Sequence, residues 1–490
     1  MIQEHPFIFL FRTPGCYYVY DVNTNIIVMI DKETFEVLED VLNDKIESEE
    51  YFKEYDGIAT LINKGFLSAN KIKQIEHSES RTLLYTLNNK VSKITLQVTQ
   101  QCNLRCKYCV YSGSYMNRDH SAQIMTFEMA SKGINFLIDH SMDLSQINIG
   151  FYGGEPLLEF PLIKECIEYA ETKAEGKRIT FNITTNGTVL TDKIIEYLEL
   201  HNVSLMISLD GPREVQDKNR RFASRDVGTF DKIISNLEAV KSKYPEYYKK
   251  ISFNAVMDPQ NDFNCSSEFF SSEEVLKDSF INASALNTEY SENELATPDS
   301  FIEKWSYEVF KLFLSKLGRL DEKWVSKLVN SHFDRIKVNM HEKRKPSNFL
   351  PETVHHGGPC IPGAQRLFMN VHGNFYPCER VSELSQAMNL GNVDEGFDIE
   401  NARKLLNIGN LTENECKNCW NFRFCTLCAA ACDNLNGLSR EHKLTHCSGV
   451  TNSVEDMMKD YCTLLEFGYT FSDVEKPTLS YRNAEMEEVR

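Results

Sequence analysis

No stretch of this chain is apolar for long enough to cross a bilayer, which argues against a helical membrane protein. The opening residues, MIQEHPFIFLFRTPG, have no basic n-region and no small-residue cleavage site, so no signal peptide is read and a cytoplasmic location is expected. Positive charge is in short supply as well. Lys and Arg number 53 against 71 Asp and Glu, and a net charge of −18 argues against bulk binding to nucleic-acid phosphates. No internal repeat is present. With 490 residues, 42% hydrophobic and 25% charged, the chain has the balance of a globular protein with ample core and room for two to four domains.

Cysteine is plentiful, with fifteen in the chain. A reducing compartment disfavours structural disulfides, so clustered cysteines there point to metal or redox chemistry. Three lie in 102–109 and eight in 360–447. Cys16, Cys166, Cys265 and Cys462 are scattered and read as core residues, Cys166 on an apolar helical stripe.

Residues 1–88 read as a small separate unit. Tyr18, Tyr20 and Val22 alternate, Asn23-Thr24-Asn25 supplies a turn, and Ile26, Val28 and Ile30 alternate again, which is a hairpin pattern. Asp31 can cap a helix with Phe35, Leu38 and Val41 on one face, and a second short helix carries Ile58, Leu61 and Ile62. Hairpin plus small helices resembles a winged-helix module. Residues 89–290 alternate strand and helix: Ile94/Leu96/Val98, then 147–152, 179–184, 203–208 and 251–256, with helical stripes between. Repeated βα units predict an α/β fold with a parallel sheet or barrel, whose function sits at the C-terminal ends of the strands. Residues 291–345 read as a helical linker, with the basic run His341 to Lys345 as a solvated face. Residues 346–450 are rich in Gly, Asn and Cys, so metals are expected to organise them. Residues 451–490 read as a helix and a charged tail.

The first strand runs directly into Cys102-x3-Cys106-x2-Cys109. Three thiolates leave one iron of a [4Fe–4S] cluster without a protein ligand, whereas an electron-transfer cluster takes four. This loop, with the aromatic Tyr108 before its last cysteine, resembles the radical S-adenosylmethionine (SAM) superfamily. The resemblance implies a partial (β/α)6 barrel, SAM chelated on the open iron, and reductive cleavage to a 5′-deoxyadenosyl radical. A zinc loop is the alternative. The next strand ends in Gly153-Gly154-Glu155-Pro156. Glycines let backbone approach a ligand closely, and the segment matches the one that binds the methionyl amine, with Glu155 as acceptor. Thr185 and Asn186 end the third strand, and Ser208 and Asp210 the fourth; both resemble segments lining the SAM site, or simply form turns. Arg220 is a candidate partner of the SAM carboxylate or a surface ion pair. The glycine-rich adenine segment expected on strand five is not evident in residues 253–257.

The second cysteine group reads Cys360-x12-Gly373-x4-Cys378, then Cys416-x2-Cys419-x5-Cys425-x2-Cys428-x3-Cys432, then Cys447. It resembles the SPASM extension of radical SAM enzymes, which carries auxiliary [4Fe–4S] clusters, except that Ala429 stands where that pattern has a cysteine. The resemblance implies an outer cluster on Cys416, Cys419, Cys425 and Cys447. It implies an inner one on Cys360, Cys378 and one or both of Cys428 and Cys432. A zinc ribbon is again the alternative. Glu379, beside Cys378, stands where sulfatase-maturating enzymes have an Asp base. The chain as a whole resembles peptide-modifying radical SAM/SPASM maturases of the sactipeptide and ranthipeptide type. That implies thioether formation on a ribosomally made precursor, and a reductant such as flavodoxin or ferredoxin. It also implies that the leader sequence adds as a strand in a groove formed by residues 17–22 and the following helix. Carbon–carbon or carbon–oxygen cyclisation, sulfatase-type maturation and a zinc-stabilised peptide-binding protein are the alternatives.

Overall fold

The computed structural model describes residues 5–45, 55–109, 111, 121–174, 176–286, 291, 296–471, 478–482 and 485–489. Six strands form the centre: β4 (Lys93–Thr99), β5 (Gln146–Gly153), β6 (Arg178–Thr185), β7 (Ser204–Ser208), β8 (Ser252–Met257) and β9 (Phe280–Ala285), in that order and all parallel. Helices connect them, among them Phe127–Asp139, Phe160–Lys173, Asp192–Leu200 and Phe230–Lys243. The expected partial barrel is therefore present, including a sixth strand that the sequence pattern did not single out.

The period of two explains why this sheet has two different faces. Ile147, Ile149 and Phe151 of β5, Phe181 and Ile183 of β6, and Leu205 and Ile207 of β7 are buried in the main core with the helices. Full burial of such side chains contributes about 1.5–3 kcal/mol each. The alternate positions are polar and half-buried: Asn148, Thr180, Asn182, Ser208, Asn254 and Asn282. They line the concave face. Beyond β4 the sheet gains β10 (Leu367–Met369), parallel to β4, and β11 (Phe375–Tyr376), antiparallel to β10. The cysteine-rich segment thus extends the barrel sheet itself.

At the N-terminus, β1 (Ile8–Arg12), β2 (Tyr17–Asp21) and β3 (Ile26–Ile30) form an antiparallel meander followed by α1 (Lys32–Leu42) and α2 (Asp56–Asn63). The Asp31 cap forms as expected, accepting from the Thr34 amide at 2.7 Å. Val19, Val28, Ile30, Leu38, Val41, Ile58 and Leu61 make a core of their own. The other face is not free: Phe11, Tyr18 and Tyr20 belong to the main core. Phe9 stacks on Trp420 at 3.7 Å, and the Arg423 guanidinium donates to the carbonyls of Val22 and Asn23 at 2.8 and 3.1 Å. The unit expected to be separate is docked by an aromatic face.

Three further expectations change. The basic run is only partly solvated: Arg344 is 2% exposed, donates to the Met340 and Asn25 carbonyls, and lies over the Tyr461 ring, because this residue closes the joint between linker and N-terminal sheet. Cys166 and Cys462 are core residues as expected, but Cys265 is exposed. The C-terminal segment begins with the expected helix, Cys447–Glu466, but then contributes β14 (Thr478–Arg482), parallel to β3, and β15 (Glu485–Val489), antiparallel to β14. The rest of the expected tail, residues 472–477, 483–484 and 490, lies outside the described residues. Among the described residues no helix is long and apolar enough to cross a membrane.

Candidate active site

The cysteine loop leaves the C-terminal end of β4 at Thr99. Backbone amides point at sulfur: Leu104 N–H donates to Cys102 Sγ and Tyr111 N–H to Cys109 Sγ, each at 3.4 Å. The Asn186 carboxamide reaches Cys102 Sγ at 3.9 Å, and Arg220 hydrogen-bonds Cys106. Burial, with a smaller contribution from Cys109, pushes the Cys102 and Cys106 thiols up to about 12. A site that gathers three thiols yet opposes the ionisation of Cys102 and Cys106 fits a group whose own positive charge makes thiolates, as metal ligation does. Among the described residues no three His, Cys, Asp or Glu side chains converge as one bound ion would require; in a [4Fe–4S] cluster each cysteine bonds a different iron.

The glycines after β5 serve this loop. A Cβ on Gly153 would stand 2.0 Å from the Thr99 carbonyl oxygen, and its φ is +136°. A Cβ on Gly154 would stand 2.0 Å from the Gln101 oxygen. With the side chains absent, Gly154 N–H donates to Thr99 O and Glu155 N–H to Gln101 O at 2.9 and 2.8 Å. The close approach is to the cysteine loop. Glu155 is 1% exposed. Its Oε1 accepts from Leu157 N–H and the Thr185 hydroxyl, and its Oε2 from Asn186 N–H. Burial raises its carboxyl to about 7 against the pull of these three donors. A carboxylate offers about four acceptor positions, so one remains on Oε2.

Asp210 and Arg220 form a buried pair. Arg220 Nε donates to Oδ2 at 2.9 Å and Nη2 to Oδ1 at 3.3 Å, the Tyr108 hydroxyl donates to Oδ2, and the Arg220 guanidinium lies 5.3 Å from the Tyr108 ring centroid. The Val256 amide donates to Oδ1. Arg220 is therefore neither a surface ion pair nor an unengaged cation. It joins strand-end Asp210 to the cysteine loop. Ser208 ends β7 opposite Asn254.

Glu379 is not at this end. Tyr376 pairs with Phe368, which lies beside Thr95, so the chain runs away from the cysteine loop and places Glu379 3.5 Å from Arg366. Its charge acts on Lys93, at the start of β4. β4 separates the two ends by roughly 20 Å at the rise of a strand. The second cysteine group gathers near that far end. Cys428 and Cys378 influence one another's neighbourhood, as do Cys428 and Cys360. Cys416, Cys419, Cys425 and Cys447 form a second electrostatically linked set. Cys432 is fully buried, feels both sets, and its sulfur donates to the Cys428 carbonyl at 3.5 Å.

Between the ends, the concave face contains groups that the motif reading missed. Gln97 is fully buried, and its Nε2 donates to the Tyr111 hydroxyl at 2.9 Å and to Glu383 at 2.7 Å. The signal was available: Gln97 and Thr95 are the polar members of an Ile-Thr-Leu-Gln-Val alternation. The side-chain oxygens of Asn148 and Asn182 are buried without a hydrogen-bond partner among the described residues, a state that a bound polar ligand relieves.

Residues 96–263 match the Radical SAM superfamily. Over 339 residues the chain is 24% identical to a cysteine-type anaerobic sulfatase-maturating enzyme of Clostridium perfringens, covering 66% of this chain and 84% of that enzyme. The radical SAM cyclopropyl synthase TigE of Paramaledivibacter caminithermalis is 28% identical over 215 residues, 41% of this chain and 44% of TigE. The chain thus spans less than half the length of TigE. The structure of native anSMEcpe with bound AdoMet and a Kp18Cys peptide shares the fold, with a TM-score of 0.56, 18% identity, and coverage of 77% of this chain and 98% of that one.

Proposed function

We propose, from the match of residues 96–263 to the Radical SAM superfamily, that the protein is a peptide maturase that joins a cysteine sulfur of a precursor peptide to one of its carbons. The observation that carries this reading is the pair of cysteine groups at opposite ends of one polar lumen. When bound, SAM and the clusters supply a 5′-deoxyadenosyl radical that takes a hydrogen atom from the peptide, and an acceptor for the electron left over when sulfur bonds to carbon. Each link removes one hydrogen atom, one proton and one electron from the peptide.

The chain's own residues do the rest. Gly153, Gly154, Thr185 and Asn186 clamp the Cys102–Cys109 loop, and Glu155 would hold the SAM amine on its remaining lone pair. Arg220, oriented by Asp210 under Tyr108, would hold the SAM carboxylate. Asn148, Asn182, Asn254 and Asn282 present carboxamides, each both donor and acceptor, to peptide bonds in the lumen. Glu379, oriented by Arg366, takes the proton of the peptide thiol. The inner set is Cys360, Cys378 and Cys428, with Cys432 as a buried neighbour; the outer set is Cys416, Cys419, Cys425 and Cys447. The leader adds to the sheet of residues 8–30, and a flavodoxin- or ferredoxin-type protein supplies the electron for SAM cleavage.

The test is the product. The peptide mass falls by two hydrogens per link, and alkylation finds one fewer thiol each time. The same mass loss with every thiol free rejects the thioether and favours carbon–carbon or carbon–oxygen cyclisation. A thiol lost from a peptide that still fragments as an open chain favours sulfatase-type maturation, the reading supported by the long match to the Clostridium perfringens enzyme.

A further inference from the structure

Lys443 is 1% exposed. It lies on the short helix Arg440–Thr445, just before Cys447. Its ammonium makes three contacts, one for each proton: the Ile408 carbonyl at 2.9 Å, the Thr412 hydroxyl at 2.8 Å and Cys416 Sγ at 3.9 Å. Thr412 Oγ1 is itself 3.2 Å from the same sulfur. A buried ammonium needs a counter-charge. The nearest candidates by sequence are taken: Glu413 pairs with Lys417 at 2.6 Å and Glu415 with Arg440. Among the described residues no carboxylate pairs with Lys443, and the group that faces it is a set of thiols. The lysine's charge acts on Cys425, Cys432 and Cys447 as well as on Cys416. Neutral thiols would leave this cation unbalanced in the core. An anionic thiolate-ligated centre balances it.

We propose that Lys443 is a positioning residue that sets the reduction potential of the outer auxiliary centre, through its hydrogen bond to the Cys416 sulfur and its buried positive charge. This rests on the reading of Cys416, Cys419, Cys425 and Cys447 as ligands of one iron–sulfur cluster. Reduction adds one electron and hence negative charge to such a centre, and a fixed cation beside it stabilises the reduced form. Hydrogen bonds to the sulfurs and local charge are established levers on these potentials. Removing the cation therefore lowers the potential and makes the centre a poorer electron acceptor.

The experiment is a redox titration followed by electron paramagnetic resonance on anaerobically purified full-length protein. It is made in the Cys102→Ala, Cys106→Ala, Cys109→Ala background so that only auxiliary signals contribute. Lys443→Gln is expected to shift one auxiliary signal downward by at least tenfold in its oxidised-to-reduced ratio, which is ~59 mV for a one-electron couple, with iron content retained. Lys443→Arg, which keeps the charge, is expected to stay near the parent. Iron lost from Lys443→Gln but kept in Lys443→Arg also supports the role of the charge. An unchanged potential in Lys443→Gln, or iron lost equally from both variants, overturns the proposal. Zinc in place of auxiliary iron in the parent protein overturns the cluster reading beneath it, a result the iron analysis distinguishes before any variant is titrated.

Discussion

Gly154 shows how one missing Cβ holds the cysteine loop. Its nitrogen bonds Thr99 O while its Cα lies against Gln101 O. Gly154→Ala must push the loop aside, and overpacking of this kind costs about 1–3 kcal/mol. The expected result is a lower melting temperature and loss of iron from the Cys102–Cys109 site. Gly449 is the control: it lies in the helix Cys447–Glu466 with nothing within 4 Å of a Cβ, so Gly449→Ala should be neutral or stabilising by up to about 1 kcal/mol. Equal behaviour of the two variants would contradict the clamp. Asp210 makes a second residue-scale prediction. Asp210→Asn leaves the Arg220 guanidinium buried without its carboxylate, and breaking such a pair costs about 3–5 kcal/mol. Urea unfolding measures it, and a loss below about 1 kcal/mol would mean that Arg220 is paired elsewhere.

Among the secondary-structure elements, the edges of the N-terminal sheet carry the prediction. Strand addition was expected along residues 17–22, but β2 is the middle strand, paired on both sides. On the β3 side the chain's own β14 already adds a strand, with Leu479 opposite Val28 and Ser480 opposite Met29. Removing residues 472–490 should therefore free the β3 edge and raise the affinity for a precursor leader, measured by fluorescence anisotropy; unchanged affinity would place the leader elsewhere. Deleting residues 1–88 is the poorer experiment, because Phe11, Tyr18 and Tyr20 are part of the main core and their loss would expose it. The comparison also shows which elements the sequence announced. The barrel strands were legible because Ile94, Leu96 and Val98, and their counterparts, alternate in a way that only one buried sheet face requires. The cysteine loop was legible from its spacing, and Gly153-Gly154-Glu155-Pro156 from the family resemblance that the loop introduced. Arg344 read as solvated because charge pattern carries no information about a distant carbonyl such as that of Asn25. The addition of β10 and β11 was hidden because strands of three and two residues are too short to show a period.

Taken whole, the described residues form a polar-lined partial barrel with the Cys102–Cys109 loop beyond the C-terminal end of β4 and Glu379, beside Cys378, toward its N-terminal end, a strand length of roughly 20 Å. In the proposed function, radical initiation is assigned to the end where Cys102, Cys106 and Cys109 meet Asp210, Arg220 and Glu155. Deprotonation and electron removal are assigned there to the side where Glu379 meets Arg366 and the second cysteine group begins. The two functions are therefore separable by mutation, and one measurement tests that division most directly. Anaerobically reconstituted protein is incubated with SAM and a reductant, and 5′-deoxyadenosine is quantified alongside protein-bound iron. The account predicts 5′-deoxyadenosine from the parent protein, none from the Cys102→Ala, Cys106→Ala, Cys109→Ala variant, and about two thirds of the iron still bound in that variant. SAM cleavage at the parent rate by the triple variant would contradict it.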